Sequence, residues 1–385
     1  MKKSLVSLSL GGLSIGTTEF VMMGLLPDVA RDFNITIPEA GHFISAYALG
    51  VVIGAPLLVA LGGSFPPKKI LITLMAMFTV FNLASAFATG STALLLTRLL
   101  SGLPHGAFFG VGSVMATRLA DRGKEAQAIA VMFAGLTIAN LLMVPLGTYI
   151  GHHFTWRYTF AMIGVIGFIT ILSILFWMPA LESSRSGSVR KELGFFRKKE
   201  AWLLVAITSI GTGGLFAWIS YIAPMMISVT GFPADKVPYI LILAGFGMFT
   251  GNFIGGKLAD SYPPARACII SLFAIVACLI VDYMVASSQS LTLLMVFVTG
   301  AITFTLGTPI QILMIKTAQG AEMLGASVSQ AAFNIGNALG AFLGGLPIAA
   351  GLGLASPLLV GVVMAMAGVG FTWQLIRTQK LKRSV

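Results

Sequence analysis

Four ionisable side chains stand inside long apolar stretches of this sequence: Glu19, Arg98, His105 and Asp282. An ionisable group in hydrocarbon costs a few kcal/mol on insertion scales, so each needs a reason to be there. Glu19 lies eight residues before the end of its stretch, about 12 Å deep at 1.5 Å per residue. Arg98 lies six residues into its own, about 9 Å deep from the same side. The two meet if those stretches are neighbouring helices. A carboxylate beside a permanent cation has its protonation set by two opposing influences, loss of water and the nearby charge. That suits loading a proton on one side of a membrane and releasing it on the other, with Arg98 tuning the carboxylate. The plainer alternative is an ion pair that staples two helices. His105 shares a helix face with Arg98, seven residues earlier, and titrates in the range of a proton relay. With Gly102 and Gly106 beside it, a hydrogen bond to a neighbouring helix explains it equally well. Asp282 stands near the end of its stretch, where hydration accounts for it.

Uncharged groups that could hold a solute are Asn140, Gln311, Gln330, Asn334 and Asn337, and the aromatic cluster Phe216, Trp218 and Tyr221. Hydrogen bonding between helices is the ordinary explanation for the amides. The aromatic cluster fits a cavity wall and a lipid-facing surface equally well.

The elements that carry these residues are read from composition. Of 385 residues 57% are hydrophobic and only 10% charged, with a mean hydropathy of +0.93. A soluble domain carries about 25% charged residues, so much of this exterior faces lipid. Twelve apolar runs of spanning length recur between residues 5 and 376. The first, behind Lys2 and Lys3, continues unbroken to Leu26, so it reads as a retained helix rather than a signal peptide. The fold class is all-α membrane protein, with residues 1–179 and 201–385 as two six-helix bundles and 180–200 as a cytoplasmic central loop.

The net charge of +11 does not mark a nucleic-acid binder, because the basic residues lie between the apolar runs rather than on one domain. With both termini in the cytoplasm, all but four of the 24 Lys and Arg fall on the inner side, as the positive-inside rule requires. Cys268 and Cys278 share one run and are about 15 Å apart along a helix, too far for a disulfide. No metal-ligand cluster and no phosphate-binding loop of the G-x-x-x-x-G-K-[S/T] type occurs. No cofactor is expected, and an ion gradient is the natural energy source.

The halves repeat. A shift of 197 residues lays Pro27 on Pro224, Gly50 on Gly247, Gly54 on Gly251, Asn140 on Asn337 and Gly147 on Gly344. Duplicated six-helix halves are a signature of secondary transporters, with the solute site between them. Pro145 should kink the fifth helix, and Gly336, Gly340, Gly344 and Gly345 let the eleventh pack closely.

These residues also form longer motifs. They are Gly16-Thr17-Thr18-Glu19-Phe20, Ile37-Pro38-Glu39-Ala40-Gly41-His42, Arg98-Leu99-Leu100-Ser101-Gly102-Leu103-Pro104-His105-Gly106, and Gly135-Leu136-Thr137-Ile138-Ala139-Asn140 leading to Val144-Pro145-Leu146-Gly147. Through them the chain resembles, over its whole length, the major facilitator superfamily, and within it the sugar-efflux group of the drug:proton antiporter branch. The resemblance implies rocking of two bundles and an inner-membrane location in a bacterium. It implies a monomer that exchanges protons for a small organic solute, sugar or drug-like. It matches Arg98 to the branch's proton-coupling arginine and the stretch from Gly135 to Gly147, Pro145 included, to its conformational motif. Two departures stand out. The glycine usual before Pro145 is Val144, and the first of two loop motifs has Gly62-Gly63-Ser64 where an Asp is usual. The second copy keeps it as Asp260, with Arg266, so the loop latch is expected on one side only. An importer or facilitator of the same fold is the alternative; a receptor or enzyme lacks the soluble domain it would need.

Overall fold

The computed structural model describes residues 2–62, 65–122, 124–181, 197–318 and 322–383. Among the described residues, twelve helices are long and apolar enough to cross a membrane. They are α1 (Lys3–Phe33), α2 (Ile37–Val59), α3 (Pro67–Ala86), α4 (Ser91–Leu119), α5 (Gln127–His153) and α6 (Trp156–Trp177). After the connector come α7 (Lys199–Ser220), α8 (Ala234–Ser261), α9 (Pro264–Val285), α10 (Gln289–Thr317), α11 (Gly325–Ala349) and α12 (Pro357–Gln379). Most of the expected central loop, with Arg185, Arg190 and Lys191, lies outside the described residues, as do Gly63 and Ser64. An even number of spans puts both termini on one face, called here the terminal face; the other is the far face.

The two bundles are built alike. In each, the second helix packs on the fourth (α2 on α4, α8 on α10), the third on the sixth, and the first on the fifth. Backbones touch where glycine removes the side chain. A Cβ on Gly50 or Gly54 would fall inside the carbonyls of Leu99 and Leu103, and one on Gly247 or Gly251 inside those of Phe297 and Ala301. These pairs correct the uniform 197-residue shift. The α2 and α8 glycines keep it, but their partners in α4 and α10 are 198 apart. One residue more therefore separates α8 from α10 than α2 from α4.

Helix breaks follow the prolines. Proline lacks an N–H and crowds the carbonyl four residues earlier. In α5 the five residues Ala139–Met143 form a π-helical turn directly before Pro145, which realises the expected kink. Past Ser220, α7 breaks at Tyr221 before Pro224 and resumes as Ile222–Ser228. In α10 the break at Thr305 and Leu306 precedes Pro309. A second π turn, Ile207–Gly211 in α7, precedes no proline, and its cause is not evident.

The halves meet mainly along four helix pairs: α2 on α11, α4 on α11, α5 on α8, and α1 on α7. Contacts join the halves at the far face, beside a pocket of about 160 Å³ lined by Asp28, Arg31 and His152 of one half and Ile227 and Val237 of the other. Ser45 Oγ donates to Ala338 O at 3.2 Å across the first pair, and His42 stacks on Phe342. The Tyr221 hydroxyl donates to Ala341 O at 2.6 Å and fills space left by Gly41 of one bundle and Gly345 of the other. Toward the terminal face the bundles part around two chambers.

Candidate functional site

Arg98 is fully buried on α4, and its position is fixed by α1. One guanidinium nitrogen donates to Thr18 Oγ1 at 2.8 Å and another to Thr18 O at 3.0 Å. Thr18 Oγ1 in turn donates to Asn82 Oδ1 at 2.6 Å, and Asn82 Nδ2 donates to Phe78 O. The Tyr47 ring lies 4.4 Å from the guanidinium carbon, a stacking contact that favours a weakly hydrated cation. The charge is therefore held by two hydrogen bonds to Thr18 of α1, braced by Asn82 of α3, and by an aromatic face from α2, which offsets much of its desolvation. Its Nε keeps no partner.

The expected meeting of Glu19 and Arg98 takes a different form. Among the described residues no ion pair joins them within 4 Å; the arginine grips the residue before the acid. Glu19, 5% exposed, instead lines a chamber of about 150 Å³ between the halves and faces Asn334 of α11. The stapling ion pair is thus replaced by a backbone clamp that leaves the carboxylate to the cavity. His105 is buried behind this wall, with Nδ1 3.1 Å from the Tyr47 hydroxyl. Gln330 of α11 faces its ring, yet Nε2 has no hydrogen-bond partner.

Most of the chamber's apolar wall is aromatic: Phe20, Phe133, Phe216, Phe304 and Phe333, with Phe20 and Phe216 stacked 6.3 Å apart across the α1–α7 seam. Its polar lining beside Glu19 is Thr212, Asn252, Thr303 and Gln330. A second chamber of about 190 Å³ opens at the terminal face between α4, α5, α10 and α11. Gln311 lines it, its Oε1 accepting from Ser329 Oγ at 3.0 Å.

Of the aromatic cluster in α7, only Phe216 lines a chamber. Trp218 and Tyr221 are buried rather than lipid-facing, with Tyr221 among the far-face contacts. Asn140 lines a small crevice at the α5–α8 seam, where its carbonyl abuts Gly245. Asn337 is fully buried with both amide atoms unpaired. Gly147 packs against Val21 and Thr159, and its carbonyl accepts from Thr159 Oγ1 at 2.7 Å. Asp260 and Arg266 are both exposed and form no ion pair with each other.

Asp282 corrects the hydrated reading. It is 3% exposed and accepts from Thr299 Oγ1 of α10 at 2.7 Å. Residues not anticipated are Thr18, Tyr47 and Asn82, which hold Arg98, and Phe133 and Asn252 in the wall. Thr18 and Asn82 carried a signal, being polar residues inside apolar runs; a tyrosine or phenylalanine in a membrane helix gives none.

Comparison with known proteins agrees with this architecture. The sequence matches the Major Facilitator Superfamily profile over residues 8–345. It is 40% identical over 352 residues to AraJ of Escherichia coli (strain K12), named as a transporter, covering 91% of this chain and 89% of AraJ. It is 39% identical over 361 residues to the inner membrane transport protein YdhP of the same organism, covering 94% and 92%. Among solved structures, a D-xylose-proton symporter superposes with a TM-score of 0.77 at 15% identity, covering 97% of each chain. An inward-facing bacterial homologue of the lysosomal transporter Spinster gives 0.75 at 15% identity, covering 97% and 96%. Twelve spans in two like bundles, a chamber between them and these matches lead to one conclusion: the chain belongs to the major facilitator superfamily.

Proposed function

We propose that this transporter exports a small organic solute, sugar or drug-like, in exchange for protons, and that Glu19 carries the proton. The observation behind this reading is the position of Glu19: a carboxylate at the wall of the chamber between the halves, without an ion-pair partner, one residue from the clamp of Arg98. A group placed so is offered to whichever side the chamber opens on. Arg98 keeps a fixed positive field near it, and His105, through Tyr47, is the next titratable group along α4.

The terminal face is taken as cytoplasmic, on the distribution of Lys and Arg. The family and the name of YdhP support an inner-membrane location, and the protein works as a monomer of two bundles, 1–179 and 201–385. Pro145 and Gly147 in α5 give the seam on which the bundles rock, and Asp260 with Arg266 latches the loop in the alternate state.

The test is a proteoliposome assay with a pH dye inside, an imposed proton gradient, and sugars or lipophilic cations added singly. Wild type should move protons when its solute is added. Glu19→Gln should lose that movement yet still exchange labelled solute without a gradient. Unchanged proton movement in Glu19→Gln would remove the acid from the mechanism; solute flux with no proton movement in wild type would make the protein a facilitator.

A further inference from the structure

We propose that Phe133 is a door between two ligand chambers, and that the one at the terminal face is a binding subsite for the uncharged, apolar body of the solute. This rests on the transport reading, but not on proton coupling or on Glu19.

Phe133 lines both chambers. At about 150 and 190 Å³, each falls below the roughly 300–1,000 Å³ of ordinary ligand pockets. Rotating Phe133 out of the partition joins them into a space within that range. The ring is held by stacking on Phe109, centroids 4.9 Å apart and planes 10° from parallel. Phe109 in turn lies 5.4 Å from the His105 ring. The door therefore rests on a column of rings that ends at a titratable side chain, not on loose packing.

The two chambers differ in chemistry. The central one contains Glu19. The terminal-face one contains no ionisable side chain among its lining residues. Two of its hydroxyls are already used: Ser113 donates to Phe109 O and Thr117 to Val114 O. Ser329 donates to Gln311 Oε1, which leaves the Gln311 Nε2 as the lining donor with no protein partner among the described residues. Walls of Val114, Ile129, Met314 and Ile315 around one amide N–H suit an uncharged apolar molecule with a single hydrogen-bond acceptor. A charged molecule would lose its hydration there and gain no counter-charge.

The experiment uses full-length protein with Cys268 and Cys278 replaced by alanine and one new cysteine, Ala326→Cys in the terminal-face chamber or Thr212→Cys in the central one. Methyl methanethiosulfonate, uncharged, is the small reagent and N-(1-pyrenyl)maleimide the bulky apolar one. The bulky reagent should modify Ala326→Cys about tenfold faster than Thr212→Cys, relative to the small one, as a gated passage requires. Adding Phe133→Ala should abolish that ratio and Phe133→Trp should raise it, each in protein that elutes as a single folded species. The same ratio in all three backgrounds would overturn the door. For the subsite the probe is prodan, an uncharged naphthalene ketone. It should slow small-reagent labelling of Ala326→Cys about fivefold, and Gln311→Ala should remove that protection. Protection at Thr212→Cys alone, or protection indifferent to Gln311→Ala, would overturn the subsite. No proton gradient enters either measurement, so a failure here leaves the Glu19 reading standing, and a failure of Glu19 leaves the door standing.

Discussion

The two bundles share a packing plan and divide the chemistry unequally. On the α2–α4 pair the N-terminal bundle carries Tyr47, Arg98 and His105. The glycine contacts align Tyr47 with Ala244, because Gly102 packs on the Tyr47 carbonyl as Gly300 packs on that of Ala244. In the same register Arg98 corresponds to Val296 and His105 to Thr303. On the first helices the 197-residue shift sets Glu19 against Phe216, and the two line opposite sides of one chamber. One bundle thus supplies the charges and the other a wall of apolar, hydroxyl and amide side chains. Equal scaffolds with unequal contents imply that the scaffold does not need the charges, so their desolvation is borne for function.

Exchanging residues between the bundles gives the largest expected effects. Val296→Arg puts a cation at a fully buried site and lacks the equivalents of Thr18 and Asn82. An unprepared membrane site costs ~2.5–3.5 kcal/mol for such a charge. Folded yield and Tm should fall sharply, and recovery of normal yield would show that the second bundle can also hold a cation. The reverse change, Arg98→Val, removes two charge-assisted hydrogen bonds worth ~1.5–3 kcal/mol each at most. It should keep the fold and cut solute-driven proton flux at least about tenfold. Loss of folded protein rather than flux would make Arg98 structural.

Backbone contacts probe whether the plan itself is equally strict on both sides. An alanine Cβ at Gly102 would fall within the Tyr47 carbonyl, whereas at Gly300 it meets the Ala244 carbonyl at 2.7 Å. Overpacking costs ~1–3 kcal/mol, so Gly102→Ala should lower Tm more than Gly300→Ala. The first also displaces the backbone under Tyr47, and His105 with it. Equal Tm losses would mean that α4 relaxes as easily as α10.

The α3–α4 and α9–α10 pairs sharpen the contrast at lower energy. Ser85 donates to Thr97 Oγ1 at 3.0 Å in the first, while Asp282 accepts from Thr299 in the second. Removing the donor to a buried carboxylate costs ~1–3 kcal/mol and removing a neutral pair about 1 kcal/mol. Thr299→Val should therefore lower Tm more than Ser85→Ala. Asp282 lines neither chamber, so Asp282→Asn should leave solute flux within about twofold. A larger loss would move the acid into the transport mechanism.

Much of this was legible beforehand because a membrane simplifies the code. Long apolar runs fix the spans, and the few ionisable residues inside them stand out by type alone: Glu19 at a chamber wall, Arg98 and His105 buried behind it. Proline also announced the break in α5. Partners were the illegible part. A helix of low amphipathicity buries several faces, and nothing in the pattern told which face of α4 would meet α1. Arg98 therefore reached Thr18 when Glu19 was expected. Depth along a helix was readable, but lateral cover was not, so Asp282 was assigned to water when α10 covers it. The 197-residue shift missed one added residue because glycine spacing within a helix is blind to connector length.

The smallest effect lies at the terminal face, where the bundles again use one device with one difference. Lys198, just before α7, donates to Thr317 O at the end of α10 at 2.8 Å. Lys2, just before α1, does the same to Leu119 O at the end of α4 at 2.7 Å. A lysine on the last carbonyls of a helix satisfies free acceptors and the negative end of the dipole. The N-terminal copy adds an acid, Asp121, 2.8 Å from the Lys2 amine. The hydrogen bond and charge of Lys2 hold that carboxyl below its ordinary value of 3.8. A depressed carboxyl stabilises the folded state fully above its unfolded value and loses that contribution as pH falls through the folded one. Both groups are exposed, so salt and water screen the pair heavily. Lys2→Ala should therefore lower Tm slightly at neutral pH, and the difference from wild type should shrink below about pH 3.8. Lys198→Ala, whose partner is a carbonyl, should show a difference that does not change over the same interval. A Lys2→Ala deficit that is flat with pH would mean that the helix-end contact acts alone and that the terminal ties of the two bundles are equivalent.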